Sequence, residues 1–227
     1  MTKTRKHQLL LLAAMSVFCA TLCLTRIIIT GEIDYLFLNW NLFLAFVPLG
    51  VTLLYELMLQ DGNKHAKKWW VKTGVLTSWL LFFPNAPYIL TDIFHMRFEQ
   101  SAPQWFDLIL ILSYAWTGLM AGFISLSHIQ RYILPRKENW QMYLTVIVLI
   151  FLTAFGIYLG RYLRFNSWDI LNRPWHLFSE IGDRFIHPLQ HTRTWGMTIG
   201  MGVLLNFIYW SMSSNLNKIR DNALTPD

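Results

Sequence analysis

The sequence predicts an all-α, polytopic integral membrane helix bundle of about six transmembrane helices, with a broken third span and an outer interfacial amphipathic helix. Three observations carry that expectation. Hydrophobic residues make up 54% of the 227-residue chain and charged ones only 14%, a balance outside the range of soluble domains. Apolar runs recur at about the 20 residues that a bilayer requires. Eleven tryptophans are present, and several open these runs, as suits indole rings at the headgroup level.

The first span covers about 9–29, after a start that carries Lys3, Arg5 and Lys6. A basic start and an apolar core also describe a secretory signal. Here the run continues through Ile27, Ile28 and Ile29 with no A-x-A site, so it reads as an uncleaved span. Cys19 and Cys23 lie one helical turn apart within it, too close along one helix to close a disulfide readily. They read as small packing residues. Further spans follow at about 35–59, 69–90, 105–128, 140–163 and 195–213, all within one transmembrane domain.

The third span runs into Pro84 and Pro87. Beyond them Tyr88, Thr91, Asp92 and His95 fall at i, i+3, i+4 and i+7, so a restarted α-helix carries them on one face. That segment either completes the span or folds back at the outer interface. Gly118–Gly122, Gly156–Gly160 and Gly196–Gly200 each form G-x-x-x-G, a spacing that lets helix backbones approach closely in lipid. The one long connection, 164–194, contains Pro174 followed by Trp175, Phe178, Ile181 and Phe185 at helical steps. It reads as an amphipathic helix over about 174–186, lying on the outer leaflet.

Orientation follows from the short loops. The N-terminal segment, the second-to-third and fourth-to-fifth connections and the C-terminal tail hold twelve of the nineteen Lys and Arg residues, including all eight lysines. Both termini are therefore expected in the cytoplasm. The other side has only arginines: Arg26, Arg97, Arg161, Arg164, Arg173, Arg184 and Arg193. Arginine presents a rigid fork of donors suited to carboxylate or phosphate, whereas lysine is a mobile point charge. These arginines either pair with the outer acids (Glu32, Asp34, Asp92, Glu99, Asp107, Asp169, Glu180, Asp183) or await an anion. The net charge of +6 thus reflects orientation, and nucleic acid is not an expected partner.

Ionisable groups at membrane depth mark functional sites. The expected candidate ligand-binding residues are Asn85, Tyr88, Asp92, His95, Arg161, Arg164 and Asn166, converging in the outer half with Asp92 as partner of Arg164. Asp107 and Asp169 compete for that role. Metal is not expected. His187 and His191 are four apart, but Pro188 stands between them and no zinc spacing is present. No facing histidine pair suggests haem. The chain contains no G-x-S-x-G, Gly-rich phosphate loop or dinucleotide fingerprint, so no catalytic residue or cofactor is assigned.

Two motifs carry a resemblance. Phe83-Pro84-Asn85-Ala86-Pro87-Tyr88 with Thr91, Asp92 and His95, then Gly160-Arg161-Tyr162-Leu163-Arg164-Phe165-Asn166-Ser167-Trp168-Asp169, resemble the bacterial multi-spanning family known as domain of unknown function 1361. The similarity runs from about the second span to the sixth. The resemblance implies a multi-pass protein of the bacterial cytoplasmic membrane with no established activity, and it transfers no site residues.

Three functions compete on the residues alone. One is binding or transport of a small anion or lipid headgroup. Another is an enzyme acting on an outer-leaflet lipid or glycan phosphate, with Asp92 and His95 as acid and base. The third is a structural or partner-binding protein. A polar lining continuous to Glu56 or His128 favours transport. A core closed at that end favours an enzyme or a headgroup site. The bilayer is the one partner common to all three, and the residues leave oligomeric state open.

Overall fold

A computed structural model describes residues 3–96, 102–134 and 139–224, and among them all regular structure is helical. Arg97, Glu99, Arg136 and Lys137 lie outside the described residues, as do the side chains of Lys3, Arg5, His95, Lys218 and Arg220. The chain divides into two compact units, residues 1–135 and 136–227.

In the first unit, α1 (Lys3–Thr30), α2 (Phe37–Gln60), α3 (Trp69–Phe82), α4 (Asn85–Tyr88) and α5 (Gln104–Tyr132) follow in order, with a 3-10 stretch, Ile89–His95, after α4. Helices α2 and α5 form the central pair; α1 packs on α5, α3 on α2, and α4 against both. Leu38, Leu42 and Ala45 of α2 meet Leu110, Ile111, Tyr114 and Ala115 of α5, with Cys19 and Cys23 completing the cluster. The cysteines are free thiols and buried, small side chains that let α1 approach closely.

The proline segment differs from the expected restart. The backbone stays in the right-handed helical region at Phe83, Pro84, Tyr88 and Ile89, so the chain keeps winding past both prolines. After α4 it tightens to three residues per turn over Ile89–His95. Phe83, Ala86, Ile89 and Asp92 recur at three-residue steps, and all four are buried. At 3.6 residues per turn such steps would drift by about 60° each. Asp92 therefore belongs with Ala86 and Ile89, while Thr91 sits above Tyr88, donating its hydroxyl to the Tyr88 carbonyl at 2.7 Å. Over Ile89–His95 this three-residue period replaces the 3.6-residue alignment of Tyr88, Thr91, Asp92 and His95.

Gly118 and Gly122 face α4. A Cβ at Gly118 would lie 3.0 Å from the Ala86 carbonyl oxygen, and one at Gly122 only 2.7 Å from Ala86 Cβ. Trp79 stacks on Phe83 at 4.2 Å and donates its indole N–H to Ser125 Oγ at 2.9 Å, locking the end of α3 to α5.

The second unit pairs α6 (Asn139–Tyr162) with α9 (Thr192–Leu224), joined through α7 (Asp169–Asn172) and α8 (Pro174–Ile186). The pair is antiparallel: Tyr143 meets Trp210 at one end and Phe155 meets Trp195 at the other. Gly196 and Gly200 have nothing within 4 Å of a built Cβ, and it is Gly202 that makes room for the Phe151 ring. The sixth-span G-x-x-x-G is thus not where this pair closes.

Among the described residues four helices are long and apolar enough to cross a membrane, over Lys6–Thr30, Phe37–Gln60, Gln104–Tyr132 and Trp140–Tyr162. With 14 residues, α3 is shorter than a bilayer needs, and α9 is not among the four.

Candidate functional site

The first unit carries polar clusters at both ends. At one end, Arg26 of α1 is 1% exposed and donates from Nε to Asp107 Oδ1 of α5 at 2.9 Å. Its guanidinium lies 4.4 Å from the Tyr35 ring centroid, and Nη2 is 3.6 Å from Glu32. Arg26 is thus the partner of Asp107 within this unit. At the same end Asn41 donates to Asp92 Oδ2 at 2.8 Å, and the Tyr114 hydroxyl donates to Asn39 Oδ1 at 2.8 Å. Asn85 donates to the Phe82 carbonyl at 2.9 Å, holding the turn into α4. Asn85, Tyr88 and Asp92 thus sit in one tight segment, with the carboxylate buried beside Asn41.

At the opposite end Glu56, 4% exposed, accepts from the Tyr132 hydroxyl at 2.8 Å and from Gln60 Nε2 at 3.1 Å. His128 Nδ1 lies 3.2 Å from Thr52 Oγ1. Between the two ends the unit is closed. Residues 42–51 of α2 are all apolar, and Ala45, Ala86, Ile89 and Ala115 pack against one another. The hydroxyls of Thr117 and Ser125 on α5 bond to the Ser113 and Gly122 carbonyls. Among the described residues no polar lining joins Asp92 to Glu56 through this unit.

In the second unit Arg161 lies in the last turn of α6 and Arg164 just beyond it. Among the described residues Arg164 is the one non-glycine with positive φ, at 59°. The chain doubles back there, with the Phe165 N–H reaching the Leu159 carbonyl at 3.2 Å. A position of this kind is usually filled by glycine, because a Cβ costs about 1–2 kcal/mol in the left-handed region. Arg164 and Asn166 are exposed. Asp169 Oδ2 accepts from the Asn166 N–H at 2.7 Å, so this carboxylate shapes the turn into α7.

Helix α8 has the boundaries read from the sequence, and it turns its aromatics outward and an arginine inward. Trp175, Phe178 and Phe185 are 86%, 56% and 59% exposed, whereas Arg184 is 5% exposed. Arg184 Nη1 donates to the Glu180 carbonyl and to its Oε2, at 2.6 and 2.7 Å, and its Cζ lies 5.8 Å from the Tyr158 ring centroid.

His187 Nδ1 and His191 Nε2 converge on the two oxygens of Asp183, at 2.9 and 2.7 Å. Hydrogen bonds from His187 and then His191 hold the Asp183 carboxyl below the usual carboxylate range. Among the described residues no group of three or more His, Cys, Asp or Glu side chains is arranged to hold a metal ion. A depressed folded-state pKa stabilises above the unfolded value and is lost as pH falls through the folded one. Amide exchange over 187–191, corrected for intrinsic rates, should hold steady down through the ordinary carboxylate range. It should rise only below that range, and Asp183→Asn should abolish the step.

The residues that sequence reasoning passed over are Arg26 as the partner of Asp107, and Arg184. Their signal was the spacing of neighbours. Leu12, Cys19, Cys23 and Arg26 recur on one face of α1, and all are buried. On α8 the half-buried Leu177 and Ile181 share a face with the buried Arg184, at i, i+4 and i+7.

No curated protein and no solved structure matches the chain. Residues 40–208 match the family described as protein of unknown function (DUF1361). The Pro84–His95 and Gly160–Asp169 motifs both fall inside that stretch, which spans most of the sequence, and the chain belongs to this family of unknown function.

Proposed function

We propose that this is a multi-pass protein of the cytoplasmic membrane, with about six spans and both termini inside, that binds an oxyanion or a phosphate-bearing lipid headgroup on its outer side. The observation that carries the reading is Arg164. It is an exposed arginine held at φ 59°, where glycine would be less strained. Strain of this kind persists where the side chain is needed. Arg161 and Asn166 flank it along the chain as further donors, and the C-terminal end of α6 favours the cations electrostatically. Asn85, Tyr88, Asp92 and His95 are proposed as a second polar station, belonging to the first unit.

Within the broader class, binding is favoured over conduction. The polar ends of the first unit are separated by an apolar, close-packed layer, which supports a site closed from one side. The outward apolar face of α8 suits a helix lying in the headgroup region, close to where lipid phosphates are found.

Arg164→Gly tests the reading, because strain and ligand binding then move in opposite directions. Relief of about 1–2 kcal/mol of left-handed strain is offset by about 0.5–1 kcal/mol of extra chain freedom. The thermal midpoint in detergent should stay level or rise. Binding of inorganic phosphate and retention of co-purified phospholipid should fall roughly tenfold for loss of a charge-assisted contact. Arg164→Lys should bind weakly too, since it keeps the charge and loses the fork. Wild-type binding by both variants would refute the assignment.

A further inference from the structure

We infer that the second unit contains a buried phosphate-binding site where α8 meets α9, made by Arg184, Thr194, Trp195 and Thr198. It deepens the reading above, on which it rests for the ligand class, and uses none of the same residues. Arg184, Thr194 and Thr198 are 5%, 0% and 6% exposed. Arg184 Nε, Thr194 Oγ1, Trp195 Nε1 and Thr198 Oγ1 are all buried, and none makes a hydrogen bond within the protein. A buried polar atom without a partner costs about 1–3 kcal/mol, and native proteins hold few of them. Four together call for a shared partner.

The packing brings α8 and α9, which carry them, into contact. Phe155, Phe185 and Trp195 form a triangle with ring centroids 5.1–6.1 Å apart, tying α6, α8 and α9 together at this end. Arg184 precedes Phe185 on α8. On α9, Thr194, Thr198 and Trp195 fall within an arc of about 100° at 100° per residue. Trp195, at the edge of that arc, touches Phe185, so the arc is turned toward α8. The site lies in the first turns of a long helix (Thr192–Leu224), where the helix dipole favours an anion.

The chemistry of the set selects the ligand. Guanidinium Nε–H and indole N–H are donors only, and two threonine hydroxyls can donate as required. An acceptor-rich, anionic group answers all four, and phosphate does so with tetrahedrally spread oxygens. Glu180 occupies the Nη1 edge of Arg184 and leaves Nε to the ligand. The exposed apolar side chains of the same helix, Trp175, Phe178 and Ile186, fit the acyl chains of a phospholipid whose phosphate enters here. Free phosphate would use the same donors.

The test is the full-length double variant Thr194→Val/Thr198→Val, which keeps shape and removes only the two hydroxyls. Arg184→Gln, which also breaks the Glu180 pair, is a second probe. The purified protein is measured by native mass spectrometry for retained phosphatidylglycerol against a zwitterionic lipid. After delipidation it is titrated with inorganic phosphate and followed by thermal shift. The Val/Val variant should fold with an unchanged or higher midpoint, since it no longer buries two orphan hydroxyls. It should lose either lipid retention or the phosphate-induced shift by roughly tenfold per hydrogen bond to the anion. Loss of the first assigns the phosphate to a lipid, and loss of the second to a free anion. Wild-type behaviour in both assays overturns the site and leaves only buried water there. Because Arg164 is intact in this variant, that result is separate from failure of the Arg164 reading.

Discussion

Replacing Arg26 with Gln should destabilise the first unit by about 3–5 kcal/mol, because it strands the Asp107 carboxylate in a buried position. Folded membrane yield should collapse, and any surviving protein should melt on the order of 10 °C lower. Asp107→Asn should be milder. The arginine it leaves behind still has Glu32 at 3.6 Å and the face of Tyr35 at 4.4 Å, whereas among the described residues no second cation pairs with Asp107. Arg26→Lys should rescue only part of the loss, since an ammonium keeps the charge but cannot spread a planar fork over the Tyr35 ring. The double change Arg26→Met/Asp107→Leu should come close to wild type, as buried pairs replaced by apolar groups of similar volume generally do. Thermal midpoints of the four variants in one detergent check the set. Equal losses for Arg26→Gln and Asp107→Asn would contradict the asymmetry, and a double variant worse than either single would contradict the ion-pair account.

Gly122→Leu should undock α4 from α5. A helix glycine replaced by alanine ordinarily gains about 1 kcal/mol of helix propensity, and that gain is expected at Gly74 or Gly50, where nothing lies within 4 Å of the built Cβ. At Gly122 the Cβ would meet Ala86 Cβ at 2.7 Å and Phe83 Cε2 at 3.4 Å. Ala86 Cβ is rigidly attached to its backbone, so the whole of α4 must retreat. Overpacking of this kind costs about 1–3 kcal/mol for a single added group, so Gly122→Ala should be net destabilising, and leucine more so. Because Asp92 follows α4 closely in the chain, its contact with Asn41 should loosen with it. A cysteine pair or a spectroscopic probe across Asn41 and Asp92 would detect the shift. Ala86→Gly in the Gly122→Ala background should restore most of the loss. If Gly122→Ala matches Gly74→Ala in its effect, the close approach of α4 is not a determinant of stability.

Membrane-class helices, the first, second, fourth and fifth apolar runs, the bounds of α8 and the family were all legible in the residues. Each rests on a local quantity: hydrophobic length against bilayer thickness, proline at a helix start, or an uninterrupted motif. Such quantities do not depend on where distant segments go. The tertiary structure decided the rest. It set the proline segment to a three-residue period, and this placed Asp92 beside Ala86 and Ile89 rather than on a line with Tyr88. The close approach of this segment to α5 rests on Gly118 and Gly122, glycines distant from it in sequence. It gave Asp107 to Arg26, two groups 81 residues apart, because Cys19 and Cys23 let α1 lie close to α5. It turned α8 so that Arg184 went inward and its aromatics outward. In water the apolar face would be buried first. Beside a bilayer, lipid accepts that face, and the polar groups are the ones that must find partners inside the protein.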